Sequence, residues 1–248
     1  SLEKHYAEWD GLNLTWEALE GIAKHNGPVS GDLPYALADY NALHDLELHT
    51  HASAEAQVAA LSDDVAYNNH DLMDGLRAGL FTEEDLMELP ILSACFGEVD
   101  ARYPDLERKR RRHEALRRVF GVMVEDLIAT SEALLNASGA GSAQDIRELN
   151  YPVILFSADL FAQLKEIRQF LFARMYRAPS VMEKRAEATQ IVSDLFPYFM
   201  AAPEHLPESW QPQINAAKDD TTLARLVADY IAGMTDLYAA EAHDRLLA

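Results

Sequence analysis

Apolar residues recur along this chain at helical spacing and almost nowhere in strict alternation. Over residues 15–26, Trp16, Leu19, Ile22 and Ala23 fall on one face, Thr15 stands where an N-cap belongs, and Gly27-Pro28 supplies a stop. The clearest long stripe covers 53–78, with Ser53 as cap, Val58, Leu61, Val65, Leu72 and Leu76 along it, and Gly79 at its end. Thr82 followed three residues on by Asp85 approximates a capping box. Pro104 is expected to open a helix running to about Leu135. Two more helices are predicted over 157–177 and 180–200, with Pro179 between them, and a last one over about 219–247 starts at DDTT. Residues 28–34 read as a loop, and Pro203, Pro207 and Pro212 mark an irregular stretch around Trp210. There is no internal repeat and no strand pattern. The prediction is an all-α fold, a multi-helix bundle read as one helical domain over 1–248, with the Gly/Ser/Ala stretch 136–143 as the best internal linker candidate.

Composition narrows this picture. Only 11 Gly and 10 Pro occur in 248 residues, which excludes collagen-like and low-complexity chains and argues against an all-β sandwich. A hydrophobic content of 49% suffices for a substantial core. No run reaches the ~18 apolar residues of a membrane span, and the charged start SLEKHYAEWD does not read as a signal peptide. With a single cysteine, Cys95, the chain reads as cytoplasmic, with no membrane partner. The formal net charge of −20 repels nucleic-acid backbones and free nucleotides alike, so a phosphate site needs its own Lys and Arg. The one basic run, Arg108 to Arg112 with Arg117 and Arg118, wraps nearly all round its helix and is interleaved by Glu107 and Glu114. It reads as a solvated or interface face, and nucleic acid is not an expected partner.

Candidate chemistry centres on the long helix. Asp63, Tyr67 and Asp71 are spaced by four and form a ladder on one polar face. A carboxylate, a phenol and a second carboxylate in a row suit a metal ion or a sugar and its hydroxyls; a solvated acidic face is the bland alternative. Asp63, Asp64, Asn68, Asn69 and Asp71 are poor helix formers crowded into nine residues, and local rules are broken most often at functional sites. The dipeptides His44-Asp45, His70-Asp71 and His243-Asp244 read as surface or capping groups. His44, His49 and His51 would make a metal pair only on a strand, and no strand pattern surrounds them.

Four stretches in order carry a family resemblance. Gly11-Leu12-Asn13-Leu14-Thr15-Trp16-Glu17 continues to Lys24-His25-Asn26-Gly27-Pro28; the second is Ala60-Leu61-Ser62-Asp63-Asp64-Val65-Ala66-Tyr67-Asn68-Asn69-His70-Asp71. The others are Phe170-Leu171-Phe172-Ala173-Arg174-Met175-Tyr176-Arg177 and Val227-Ala228-Asp229-Tyr230-Ile231-Ala232-Gly233-Met234-Thr235-Asp236. Together they resemble the bacterial deoxyguanosinetriphosphate triphosphohydrolase-like proteins of the HD-domain superfamily of metal phosphohydrolases. The resemblance implies an HD-domain-like helical bundle and hydrolysis of a deoxynucleoside triphosphate to deoxynucleoside and inorganic triphosphate. It also implies a divalent metal ion such as Mg or Mn, and a homo-oligomer. By motif position Asp63 would be a metal ligand, Lys24 and Arg168 phosphate contacts, Tyr67 the sugar–phosphate wall, Asp71 the acceptor of the 3′-OH, and Tyr176 a base or sugar contact. The family's early His and His-Asp dyad precede the first of these stretches, so the chain is expected to lack that N-terminal metal half and to be inactive alone. The alternative is a non-catalytic relative, a helical oligomerisation or nucleotide-sensing module.

Overall fold

In the computed structural model, which describes residues 6–247, the regular elements are twelve α-helices and short 3-10 and π turns, with no strand among the described residues. The all-α expectation holds. The chain divides into two compact units that part between Met175 and Tyr176.

The first unit holds α1 (Trp16–Ala23), α2 (Tyr35–Leu43), α3 (Ala54–Ala78), α4 (Glu83–Leu86), α5 (Pro90–Arg102), α6 (Arg108–Ser138), α7 (Ala143–Arg147) and α8 (Ala158–Leu171). Local chemistry sets most boundaries. The hydroxyls of Thr15, Ser53, Ser142 and Ser157 each accept from a backbone N–H in the first turn that follows, a cap worth about 1 kcal/mol. Thr82 and Asp85 form the complete capping box. Gly79 ends α3 at φ 68°, a left-handed backbone that disfavours any side chain. At Gly75 an added Cβ would fall 2.2 Å from the Phe81 ring, so close packing of that ring requires glycine. Helix α3 packs against α1, α6 and α8, and α5 lies along α6. Their buried faces repeat at three and four residues: Val65, Leu72 and Leu76 on α3, Leu116, Val119, Met123 and Leu127 on α6, and Leu160, Leu164, Ile167 and Leu171 on α8. Val58, assigned to the α3 stripe, is instead 44% exposed.

The second unit holds α9 (Pro179–Ala201), α10 (Gln211–Ala216), α11 (Asp220–Ala232) and α12 (Asp236–Leu247). Its core is Leu195, Phe199, Leu206, Val227 and Ile231. Phe199 and Trp210 meet Tyr230 edge-on, with ring centroids 5.3 and 5.5 Å apart.

Three boundaries differ from the pattern. Pro104 lies in the turn between α5 and α6, and α6 starts at Arg108 because the Glu107 carboxylate accepts from the Lys109 and Arg110 N–H groups. At its other end α6 runs on to Ser138 and stops at Gly139, φ 68°, so 136–138 are helix. The last predicted helix is two, broken at Gly233 and restarted where the Thr235 hydroxyl accepts from the Tyr238 N–H.

Candidate functional site

Helix α1 delivers Lys24 into the interior. The Lys24 side chain is wholly buried and its ammonium donates to Glu20 Oε1 at 3.1 Å, Thr50 Oγ1 at 2.8 Å and the His51 carbonyl at 3.4 Å. Glu20 lies one helical turn earlier, also wholly buried. Its carboxylate accepts a second cation: Arg147, from α7, donates through Nε and Nη2, both at 2.9 Å. The Arg147 guanidinium lies 4.9 Å from the centre of the Trp16 ring, and the Trp16 indole N–H donates to the Asp45 carbonyl.

Above this cluster opens a cavity of about 360 Å³, lined by Lys24, His25, His51, Gln57, Leu61, Asp64 and the 152–155 segment among others. Gln57 fixes one wall. Its Nε2 donates to the Ala52 carbonyl, and its Oε1 accepts from the Val153 and Ile154 N–H groups. A second cavity of about 450 Å³ shares Leu61, Asp64 and Leu155 with the first and reaches Arg168 on α8. Arg168 and Asp64 pair at 2.9 Å. The His51 imidazole is held below its usual pKa, first by burial and then by the Lys24 ammonium.

The ladder on α3 is organised as its spacing dictates. Val65, Asn68 and Leu72 face inward, while Asp63 and Tyr67 are exposed and Asp71 is half-buried. Asp63 approaches one neighbour, His25 Nε2 at 3.8 Å. Tyr176 closes a π-helical turn, Phe172–Tyr176, that continues α8, a geometry found often at functional sites. Lys24, His25 and Arg168 thus converge on two adjoining cavities through Asp64, while Asp63 stands on the exposed face of the same helix.

The residues present do not make a divalent-metal site by themselves. Among the described residues no three His, Cys, Asp or Glu side chains come together, and Asp63 has a single imidazole nearby at more than coordination distance. His44 lies tilted against Tyr40, with ring centroids 5.3 Å apart, and His243 pairs with Asp194 at 3.0 Å.

Most of the basic run is paired internally. Arg108, Arg111 and Arg112 all donate to Glu83, Arg111 also forks onto Asp100, and Arg118 pairs with Glu98 and Glu114. This is an intramolecular ion-pair network, not a stripe presented to a polyanion. Sequence reasoning missed Glu20, Asp64 and Arg147. The Glu20/Lys24 spacing of four was a usable ion-pair signal; Arg147, 127 residues from Glu20, left none.

Comparison with known proteins agrees with the four motifs. Residues 154–245 match the phosphohydrolase-associated domain. The chain is 66% identical over 245 residues to a deoxyguanosinetriphosphate triphosphohydrolase-like protein of Cereibacter sphaeroides, covering 99% of this chain and 65% of that protein. Proteins of the same description from Roseobacter denitrificans and a Caulobacter species are 60% and 47% identical, again over 99% of this chain and 64% and 63% of their own lengths. The chain therefore spans about 65% or less of the length of these relatives. Over almost the whole of its own length, it is related to the deoxyguanosinetriphosphate triphosphohydrolase-like proteins.

Proposed function

We propose that the protein carrying this chain hydrolyses a deoxynucleoside triphosphate to the deoxynucleoside and inorganic triphosphate, and that this chain supplies most of the nucleotide's contacts. The supporting observation is the convergence of Lys24 and Arg168 on adjoining cavities in a chain of net charge −20. Cations lining two adjoining cavities locally offset a field that otherwise drives polyphosphates away. In this reading Lys24 and Arg168 hold the triphosphate. Tyr67 and Asp71 lie along the sugar, Asp71 accepting the 3′-OH, and Tyr176 contacts the base or sugar. Water adds at the α-phosphorus and the bond to the nucleoside 5′-oxygen breaks, leaving triphosphate and a 5′-OH. The reading includes a divalent metal with Asp63 as one donor. This chain's own described residues do not complete the donor set.

A second reading, a nucleotide-sensing or oligomerisation module without chemistry, is favoured by the same sparse surroundings of Asp63. Substitutions in the intact protein separate the two. Asp63→Ala should abolish turnover at every substrate concentration. Asp71→Asn should lower kcat/KM about ten- to a hundredfold, the worth of a hydrogen bond to a charged group, and should blunt discrimination against a 2′,3′-dideoxy substrate. Turnover that survives Asp63→Ala removes Asp63 from the metal. Absence of turnover in the wild type, with nucleotide binding retained, selects the sensing module.

A further inference from the structure

The buried cluster under the first cavity carries unequal charge. Glu20 contributes one negative charge and Lys24 and Arg147 one positive charge each, with side chains 0%, 0% and 9% exposed. Within this buried trio two cations share one carboxylate, and Glu17 and Glu47 act on Arg147 from outside it, so the ammonium is the cation with the weaker counter-charge. The geometry agrees. Arg147 occupies both carboxylate oxygens in a planar fork, while Lys24 shares only Oε1, at the longer distance of 3.1 Å. The remaining donors of the ammonium go to neutral oxygens of Thr50 and His51. Lys24 is also the member of the trio that lines the 360 Å³ cavity.

We propose that Arg147 is a positioning residue for anion binding: by holding Glu20 in its fork, it leaves the Lys24 ammonium electrostatically available to a polyphosphate in the cavity. This rests on the reading of Lys24 as a phosphate contact and adds the groups that make it effective. Without Arg147, Glu20 and Lys24 would neutralise each other and the cavity floor would offer no net charge. With it, Glu20 keeps the ammonium in place without cancelling it.

The logic is one of charge balance, and a double substitution tests it. The probe is inorganic triphosphate, titrated calorimetrically into the protein with chelator present so that no metal contributes. Wild type should bind, and Lys24→Met should abolish binding. Arg147→Met should weaken it about tenfold, the order of one charge-assisted contact. Arg147→Lys should stay within about threefold of wild type, because charge is kept. Glu20→Gln alone should tighten binding, and Glu20→Gln with Arg147→Met should restore affinity lost in Arg147→Met. A merely structural Arg147 would not be rescued by removing its own partner.

Circular dichroism melts identify variants that fail to fold. Should Arg147→Met be one of them, Glu20→Gln decides: tighter binding supports the proposal, and unchanged or weaker binding overturns it. Binding that depends on Lys24 but is indifferent to Arg147 and Glu20 overturns the positioning role and leaves the phosphate reading intact. Failure of wild type to bind triphosphate, or binding indifferent to Lys24, overturns both.

Discussion

Two clusters in the first unit look alike on paper. In each, one poorly exposed carboxylate holds several cations: Glu20 holds Lys24 and Arg147, and Glu83 holds Arg108, Arg111 and Arg112. Their surroundings differ. Around Glu83 the surplus charge drains outward, because Arg108 is 69% exposed and Arg111 also meets Asp100. Water and a second carboxylate settle the balance, and the cluster fastens α4 to the start of α6 beside α5. Around Glu20 all three side chains are buried, Glu17 and Glu47 act on Arg147 from outside, and Lys24 lines a cavity. A cation count therefore does not distinguish the two clusters; burial and an adjoining empty volume do.

The comparison can be broken at the Glu83 cluster. Glu83→Gln leaves three guanidiniums around a neutral amide and should cost about 3 kcal/mol in a urea melt, the order found when one partner of a buried pair is removed. Triphosphate affinity should not change. A loss of affinity equal to that in Arg147→Met would show that the two clusters are not functionally separate.

Acid should have a smaller effect with a defined sign. Burial pushes the Glu83 carboxyl up, but hydrogen bonds from Arg112 and Arg108 and their charges outweigh it, so its pKa lies below the ordinary carboxylate range. A carboxyl depressed on folding stabilises the protein above its unfolded value, and that stability is lost as pH falls through the folded value. Melts below about pH 4.5 should therefore show a loss in the wild type that is shallower in Glu83→Gln. Equal slopes would remove Glu83 from the acid response. Smallest of all, Arg108→Ala should cost less than about 1 kcal/mol, since its guanidinium is largely in water; a cost near that of Glu83→Gln would mean the cluster is not drained by solvent.

What was legible in the sequence was local. Thr15, Ser53, Thr82-Asp85 and Gly79 announce helix ends because cap and backbone group lie within a few residues. Helix α2 was not, because Tyr35 and Leu43 are 60% and 77% exposed and make no one-sided stripe, and Pro34 offers no side-chain cap. The Asp63/Tyr67/Asp71 ladder was legible as a face of α3, and the family motifs attached roles to it. The bond from Asp64 to Arg168 and the fork from Arg147 to Glu20 join residues about a hundred positions apart, and periodicity carries no information at that range. The basic run is the converse case. Its sequence shows seven cations close together, while the acids that consume most of them, Glu83, Glu98 and Asp100, come from α4 and α5.

The cavities of the first unit are proposed to serve a triphosphate that is released whole. Phosphorus-31 NMR of the intact protein incubated with a deoxynucleoside triphosphate and Mg²⁺ or Mn²⁺ tests it most directly. The expected spectrum gains the resonances of inorganic triphosphate as those of the substrate fade, with no monophosphate or diphosphate formed first, and the same reaction with Lys24→Met is strongly slowed. Stepwise appearance of orthophosphate or diphosphate, or full activity in Lys24→Met, would contradict it.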